Sequence, residues 1–228
     1  MKISGLMKLT LLDFPSHVAC TVFLAGCNFR CPFCHNGSLV RGGDTEISRE
    51  ELFGFLRKRV GILDGVCITG GEPLIDCGAM ELAREIKSLG FLVKLDTNGS
   101  YPERLAELLE SGVVDYVAMD IKNSPKNYRA ACGADVDVEK IKKSVELLKT
   151  SGIDHEFRTT VVKGIHTADD VVECGKWLGE GEKYFLQSYK VSDDVIAPEG
   201  LSAFSDEELA KMLAATKEFN SKTELRGV

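Results

Sequence analysis

The sequence of 228 residues has no long apolar run, no basic tract and no second pair of closely spaced cysteines. No apolar run approaches the roughly 20 residues that span a bilayer, and residues 1–5 lack the charged-then-apolar pattern of a secretory signal. We therefore expect a cytoplasmic protein with reduced thiols and no membrane partner. A net charge of -7 without a basic tract argues against a nucleic-acid partner. The length, without repeats or an evident linker, predicts a single domain over residues 1–228.

Three of the eight cysteines are crowded into one short segment, where Cys27, Cys31 and Cys34 follow an apolar run at residues 20–24. Thiolates are soft ligands that suit zinc and iron–sulfur clusters. A closed tetrahedral site needs four ligands, whereas this segment offers three. A cubic iron–sulfur cluster held by three cysteines keeps one iron free for a ligand that is not protein. We expect the chemistry of the protein at that open iron.

Three other interpretations of these cysteines remain open. Structural zinc would need a further ligand pair, and His35 adjoins Cys34 too closely for easy joint chelation. Residues 31–35 match the haem-attachment motif C-x-x-C-H, although that interpretation leaves Cys27 without a role. A disulfide framework is unnecessary in a chain long enough to build its own core. The other cysteines are scattered singly, as small hydrophobes would be: Cys20, Cys67, Cys77, Cys132 and Cys174.

Strand-like and helix-like segments alternate along the chain. The predicted strands are residues 18–24, 65–69, 91–96, 113–121, 155–162 and 183–189. The predicted helices are residues 48–60, 79–89, 102–110, 138–149, 167–178 and 205–219. Six units in this order predict an α/β fold with a parallel sheet and helical crossovers. Polar and glycine residues follow the strand ends, as in barrels, but six strands are too few to close one. We therefore predict a partial (βα)6 barrel with a wide mouth.

Two motifs in this order resemble those of radical S-adenosylmethionine enzymes. The first is the C-x3-C-x2-C segment, and the second is Ile68-Thr69-Gly70-Gly71-Glu72-Pro73, which follows the next helix. Further segments are similar to the glycyl-radical-activating branch, and in particular to activators of anaerobic ribonucleoside-triphosphate reductase. These segments are Leu11-Leu12-Asp13-Phe14-Pro15, Cys34-His35-Asn36, Asp96-Thr97-Asn98-Gly99, Met119-Asp120-Ile121-Lys122 and residues 157–162. The resemblance implies a radical SAM fold over nearly the whole chain.

The resemblance also implies a role for each residue that matches the cysteine motif. Cys27, Cys31 and Cys34 would ligate three irons of a [4Fe–4S] cluster, and the fourth iron would chelate S-adenosylmethionine (SAM). Phe33 would lie near the adenine, and Asn36 would hold the nucleoside or carboxylate side. These three cysteines are therefore the predicted catalytic and metal-binding residues.

Residues at the later strand ends would contact the rest of SAM. Gly70, Gly71 and Glu72 would face the methionine ammonium, since paired glycines allow a close backbone approach. Lys122 and Arg158 would neutralise the methionine carboxylate, and the alternative is that each merely pairs with an acidic residue.

A further group of polar residues carries a weaker resemblance. Thr97 and Asn98 would also lie at the cofactor. Asp96, Thr97 and Asp120 resemble a monovalent cation site in some relatives, and the alternative is that they bond nearby backbone amides. Where some activators place a ribose-contacting histidine, this chain has Lys190 after Tyr189, which is a departure from the family pattern.

The resemblance implies a reaction and its partners. Reductive cleavage of SAM would yield a 5′-deoxyadenosyl radical, which would take an α-hydrogen from a glycine of a partner glycyl-radical enzyme. The electron would come from a reductant such as flavodoxin or ferredoxin. One alternative is a radical SAM enzyme that acts on a nucleoside or pterin-like small molecule. Another, of a different class, is a non-catalytic iron–sulfur or zinc protein, in which the Gly70–Pro73 motif has no evident purpose.

Overall fold

An eight-stranded, mostly parallel sheet forms the centre of the computed structural model, which describes residues 1–227. The strands lie in the sheet in the order of the chain. They are β1 (Ile3–Thr10), β2 (Ala19–Leu24), β3 (Gly65–Gly70), β4 (Leu92–Thr97), β5 (Tyr116–Asp120), β6 (Asp154–Val161), β7 (Tyr184–Ser188) and β8 (Thr223–Arg226). Strand β1 pairs with β2 antiparallel, and all later neighbours pair in parallel. Within the described residues β8 does not pair with β1, so the barrel is open and the predicted partial barrel is confirmed.

Helices cross over between successive parallel strands. They are α1 (Gly37–Val40), α2 (Arg49–Arg57), α3 (Gly78–Ser88), α4 (Pro102–Glu110), α5 (Tyr128–Cys132), α6 (Val138–Ser151), α7 (Ala168–Leu178) and α8 (Asp206–Lys217), with a 3₁₀ helix at Pro73–Ile75. Capping side chains fix several starts, since the Ser48 hydroxyl accepts from the Glu51 N–H, and Thr167 and Ser205 each form a capping box. Each of the six predicted helices is present within a few residues of its expected bounds.

The sheet has two strands more than the six that the sequence pattern predicts. Strand β1 lengthens it at the N-terminal side, and β8 pairs in parallel with β7 at the other edge. Strand β8 lies in the tail after Phe219, and Val228 lies outside the described residues. No helix in the part of the chain that the structure describes is long and apolar enough to cross a membrane.

The loop between β1 and β2 closes the N-terminal end of the barrel. Phe14 is buried there, and a Cβ on Gly65 at the start of β3 would lie 2.7 Å from its ring. The ring of Phe14 also lies 6.1 Å from that of Tyr116 on β5. Asp13 accepts a hydrogen bond of 2.5 Å from the Thr21 hydroxyl on β2. Access to the barrel interior is therefore from the opposite end, where the parallel strands terminate.

Candidate functional site

A cavity of about 250 Å³ lies at the C-terminal ends of the parallel strands. Eleven of the twelve predicted site residues line it: Cys27, Cys31, Phe33, Cys34, Asn36, Gly70, Gly71, Thr97, Asn98, Lys122 and Arg158. Glu72 is the exception, because its side chain is buried behind the cavity wall. The cavity therefore brings together residues from four strand ends and from the loop after β2.

The three clustered cysteines lie on the loop that joins β2 to α1. Cys31 is buried, whereas Cys27 and Cys34 are half-buried and line the same cavity. The loop is tightened by hydrogen bonds from the Cys34 N–H to the Cys31 carbonyl at 3.1 Å and from the Gly26 N–H to the Leu39 carbonyl at 2.8 Å. Three thiols thus share one wall of the cavity.

Burial sets the protonation of these thiols. It raises the pKa of Cys27 to about 11 and also raises that of Cys34, while the Lys122 ammonium acts in the opposite direction on both. The pKa of Cys31 is lowered, chiefly by a hydrogen bond from the neighbouring Cys132 thiol. Without a metal two of the thiols would stay protonated at neutral pH, so binding of a metal centre would release protons.

The end of β3 crosses the cysteine loop at very short range. A Cβ on Gly71 would lie 1.9 Å from the Gly26 carbonyl oxygen. Gly70 has φ +117°, and a Cβ there would lie 2.3 Å from the Leu24 carbonyl oxygen. The Glu72 N–H donates to the Gly26 carbonyl at 2.9 Å. The Asn36 side-chain amide donates to the Gly70 carbonyl at 3.0 Å. Glycine at both positions is therefore required by the crossing itself.

The Glu72 carboxylate is occupied by partners within the protein. One oxygen accepts from the Leu74 N–H at 2.9 Å and the Thr97 hydroxyl at 2.8 Å, and the other accepts from the Asn98 N–H at 2.6 Å. The side chain is 1% exposed. Glu72 thus ties the end of β3 to the end of β4, and its direct contact with a ligand stays a prediction.

Glu72 should make the stability of the protein fall as the pH rises. Burial raises its pKa from 4.5 to about 7, against the opposing hydrogen bonds from Asn98, Leu74 and Thr97. Between these two values the folded protein holds a proton that the unfolded chain has lost. The free energy of unfolding should therefore decrease by about 3 kcal/mol from pH 4.5 to 7 because of this group. Denaturant unfolding of the cluster-free protein across this range checks the slope.

Glu72→Gln is the matched comparison for that pH dependence. The variant loses hydrogen bonds and should be less stable at every pH, but it has no proton to release. Its pH profile should therefore be flatter than that of the wild type by about 3 kcal/mol across the same range. If the free energy of unfolding changes equally with pH in both proteins, Glu72 is not the group that causes the pH dependence.

A network of ion pairs crosses the cavity floor. Arg158 bridges two carboxylates, with its Nε 2.9 Å from Asp120 Oδ1 and its Nη1 3.3 Å from Asp96 Oδ2. Lys122 Nζ lies 3.0 Å from Asp120 Oδ2, and Lys94 pairs with Asp96. Burial alone would raise the pKa of Asp120, but Arg158 and Lys122 outweigh it and lower that pKa to about 2.

This network bears on two predictions from the sequence. Lys122 and Arg158 do pair with acidic residues, as the plainer interpretation has it, yet both also line the cavity. Three cationic side chains already balance Asp96 and Asp120. Both carboxylates therefore already have cationic partners within the protein, and the monovalent cation stays a prediction.

His166 contacts two residues that line the cavity, and the sequence gave no reason to select it. Its Nδ1 accepts from the Val162 N–H at 3.1 Å, so its Nε2–H donates to the Lys122 carbonyl at 2.8 Å. Its ring meets that of Phe33 edge to face at 5.8 Å. His166 is 4% exposed, and burial lowers its pKa. This neutral histidine therefore joins two predicted SAM-contacting residues, and no cysteine or histidine at ligand spacing marks it in the sequence.

Comparison with known proteins gives the class to which this site belongs. The chain matches the radical SAM superfamily over residues 21–178. A protein of Methanocaldococcus jannaschii, named as a candidate glycyl-radical enzyme activating enzyme, is 34% identical over 199 residues, covering 84% of this chain and 81% of the relative. A candidate GTP 3′,8-cyclase of Thermococcus kodakarensis is 30% identical over 161 residues. These cover 67% of this chain and 51% of the cyclase, so the chain spans about half of that relative's length.

Solved structures support the same fold at low sequence identity. A domain of the pyruvate-formate lyase-activating enzyme from Bacteroides vulgatus has a TM-score of 0.57 at 16% identity, covering 72% of this chain and 99% of that domain. SuiB of Streptococcus suis, bound to its precursor peptide SuiA, has a TM-score of 0.67 at 15% identity, covering 91% of this chain and 48% of SuiB.

The chain belongs to the radical SAM superfamily. It is therefore a radical SAM enzyme, and the family works with a [4Fe–4S] cluster and SAM. The predicted iron–sulfur cluster and SAM are thus the cofactors of the family, and membership removes the non-catalytic alternative. That Cys27, Cys31 and Cys34 hold the cluster stays a prediction.

Proposed function

We propose that this enzyme activates a glycyl-radical enzyme by removing a hydrogen atom from one of its glycines. The partner that we propose is anaerobic ribonucleoside-triphosphate reductase. The observation that carries the proposal is the relative that is 34% identical along most of both chains, named for this activity. The setting we propose is the cytoplasm, with flavodoxin or ferredoxin as the electron donor.

The residues of the cavity fit the two groups that the family implies. Cys27, Cys31 and Cys34 offer three soft donors on one wall, which leaves one iron of a cubic cluster for SAM. The glycine crossing keeps side chains away from the backbone that faces this wall. When bound and given one electron by the reductant, the cluster would supply the reductive cleavage of SAM to methionine and a 5′-deoxyadenosyl group that can accept the hydrogen atom.

The other proposed roles belong to the residues of the chain itself. Phe33 and Asn36 would flank the nucleoside. The Asn98 side-chain amide donates to the side-chain oxygen of Asn28 at 3.0 Å, which places Asn98 beside the cysteine loop. Lys122 and Arg158 would bind the methionine carboxylate while they remain paired with the carboxylates of the cavity floor. The protein would thereby orient SAM and keep water from the radical.

The test of the activity is whether the reduced enzyme creates a glycyl radical. The reconstituted enzyme is mixed with SAM, dithionite and the anaerobic ribonucleotide reductase of the same organism, and electron paramagnetic resonance is recorded. We expect a glycyl doublet, with one 5′-deoxyadenosine released for each radical formed. A reductase in which the radical glycine is replaced by alanine should give no doublet.

The relative named as a GTP 3′,8-cyclase supplies the competing outcome. Turnover of GTP, or of another nucleotide or pterin-like compound, without any glycyl doublet would overturn the proposal and favour small-molecule chemistry. Parallel incubations with GTP in place of the reductase separate the two results directly.

A further inference from the structure

A long segment without helix or regular strand follows β7 and crosses the loop that carries the cysteines. Residues 189–205 have no such element before α8 begins, apart from an isolated bridge at Ser202. Irregular loops longer than about 12–15 residues are uncommon in compact domains and are usually either functional loops or linkers. Residues 189–197, which we call the brace, contact the cysteine loop on both sides of Cys34.

The brace meets the cysteine loop at several successive points. The ring of Tyr189 lies 5.3 Å from that of His35, directly after Cys34. The Ala197 N–H donates to the Pro32 carbonyl at 2.9 Å, directly after Cys31. Ser192 Oγ lies 3.4 Å from His35 Nδ1. The residues on either side of Cys34 are therefore held by a part of the chain more than 150 residues away.

Asp194 makes the densest of these contacts. Its carboxylate accepts from the Ser38 N–H at 2.8 and 3.0 Å and from the Ser38 hydroxyl at 2.8 Å. Its backbone carbonyl accepts from the Gly37 N–H at 3.0 Å, and a Cβ on Gly37 would lie 2.3 Å from that oxygen. Arg41 Nη2 lies 3.3 Å from Asp194 Oδ1. One acidic residue thus fixes the start of α1.

The opposite side of the same loop is anchored by β3. Asn36 donates to the Gly70 carbonyl at 3.0 Å, and it is followed at once by Gly37 and Ser38, which Asp194 holds. Cys34 lies two residues before Asn36. The position of both residues relative to the glycine crossing therefore depends on an anchor on each side.

We infer that Asp194 is a positioning residue of the cofactor site. It acts through Gly37 and Ser38 to keep Cys34 and Asn36 in place for the cluster and SAM. The inference rests on the proposed roles of the cysteines and Asn36, and it is independent of whether the substrate is a glycine or a small molecule. Removal of the Asp194 carboxylate should therefore make the cluster dissociate faster and should also weaken SAM binding.

Asp194→Ala tests the inference, with Asp193→Ala as the matched control. Asp193 is the exposed neighbour and makes no side-chain hydrogen bond or ion pair within the described residues. Each protein is reconstituted anaerobically with iron and sulfide. Cluster loss to a ferrous chelator is followed by absorbance, and SAM affinity is measured from the change in the paramagnetic resonance of the reduced cluster. Asp194→Ala should lose its cluster about 10- to 100-fold faster and bind SAM correspondingly more weakly.

Two further variants separate positioning from loss of the fold. Asp194→Asn keeps one acceptor oxygen for the Ser38 N–H and should recover part of both properties. Ser38→Ala removes only the hydrogen bond of the hydroxyl. It should speed cluster loss and weaken SAM binding by smaller factors than Asp194→Ala. Circular dichroism and thermal unfolding of the cluster-free proteins identify any variant that has not folded, and the comparison then uses the folded ones.

The outcomes are distinct. If folded Asp194 and Ser38 variants match Asp193→Ala in chelator resistance and SAM affinity, the inference is wrong even though the enzyme binds its cofactors. If the wild type takes up no cluster, the cysteine assignment fails first and the inference with it. Failure of the wild type to form a glycyl radical, with cluster and SAM bound normally, would refute the proposed function alone.

Discussion

Cys31→Ala should yield a folded protein that retains no [4Fe–4S] cluster and releases no 5′-deoxyadenosine from SAM. Cys31 is buried and lines the cavity together with Cys27 and Cys34, so the variant leaves two of the three predicted cluster ligands. The decrease in cluster content and SAM cleavage should be larger than the decrease of about 10- to 100-fold that follows removal of a residue bonded to a metal ligand. Iron and sulfide content, absorbance and product release after anaerobic reconstitution measure it.

Cys77→Ala is the matched control for that result. Cys77 is exposed, precedes α3 and does not line the cavity. Its removal should leave iron content and SAM cleavage at wild-type levels. A Cys31→Ala protein with a full cluster, or a Cys77→Ala protein without one, would show that the cluster is held elsewhere.

Gly71→Ala should lower SAM cleavage by about 100-fold, because a methyl group cannot fit at the glycine crossing. The added Cβ would lie 1.9 Å from the Gly26 carbonyl oxygen, and neither atom can rotate away because each is fixed by the backbone. The end of β3 and the cysteine loop must therefore move apart by about 1.5 Å to reach ordinary contact distance. The shift disturbs the hydrogen bond between the Glu72 N–H and Gly26. Initial rates of 5′-deoxyadenosine release over a range of SAM concentrations measure the effect.

Gly54→Ala supplies the control for that steric argument. Gly54 lies inside α2, and a Cβ there meets nothing within 4 Å. Its replacement should leave activity unchanged and stabilise the helix slightly, by about 0.5–1 kcal/mol. If Gly71→Ala behaved like Gly54→Ala, the close crossing would have no role in the site.

The crossover elements could be predicted because their signals are local. Ser48 lies three residues before Glu51, and the same spacing places a cap at Ser205, so both helix starts follow from short-range chemistry. The apolar runs of β2 and β3 indicate strands buried on both faces. Order and type of these elements then imply a parallel sheet.

The two edge strands could not be predicted because their patterns are weak. Strand β1 contains Gly5 and an exposed stretch at residues 7–9, so it lacks both an apolar run and a clean alternation. Strand β8 has four residues, which is too few to show a period. The pairing of these two strands is decided by the sheet that they extend rather than by their own sequence.

The site was predictable where a motif concentrates its residues and not where distant segments meet. The cysteines, Gly70 and Gly71 lie in two short motifs, and the structure brings both to one cavity. Glu72 belongs to the second motif, but its carboxylate turns toward Thr97 and Asn98 on another strand. Asp194 and Ser38 are 156 residues apart, so no local pattern relates them.

The central claim is that three cysteines of this chain hold a cubic cluster whose fourth iron is free to bind SAM. Mössbauer spectroscopy of enzyme in which the labile iron carries ⁵⁷Fe tests it most directly. The account predicts that SAM addition changes the isomer shift of that one iron, and that Cys31→Ala contains no such iron. A cluster with four protein donors, unchanged by SAM, or a mononuclear ion in its place would contradict the account.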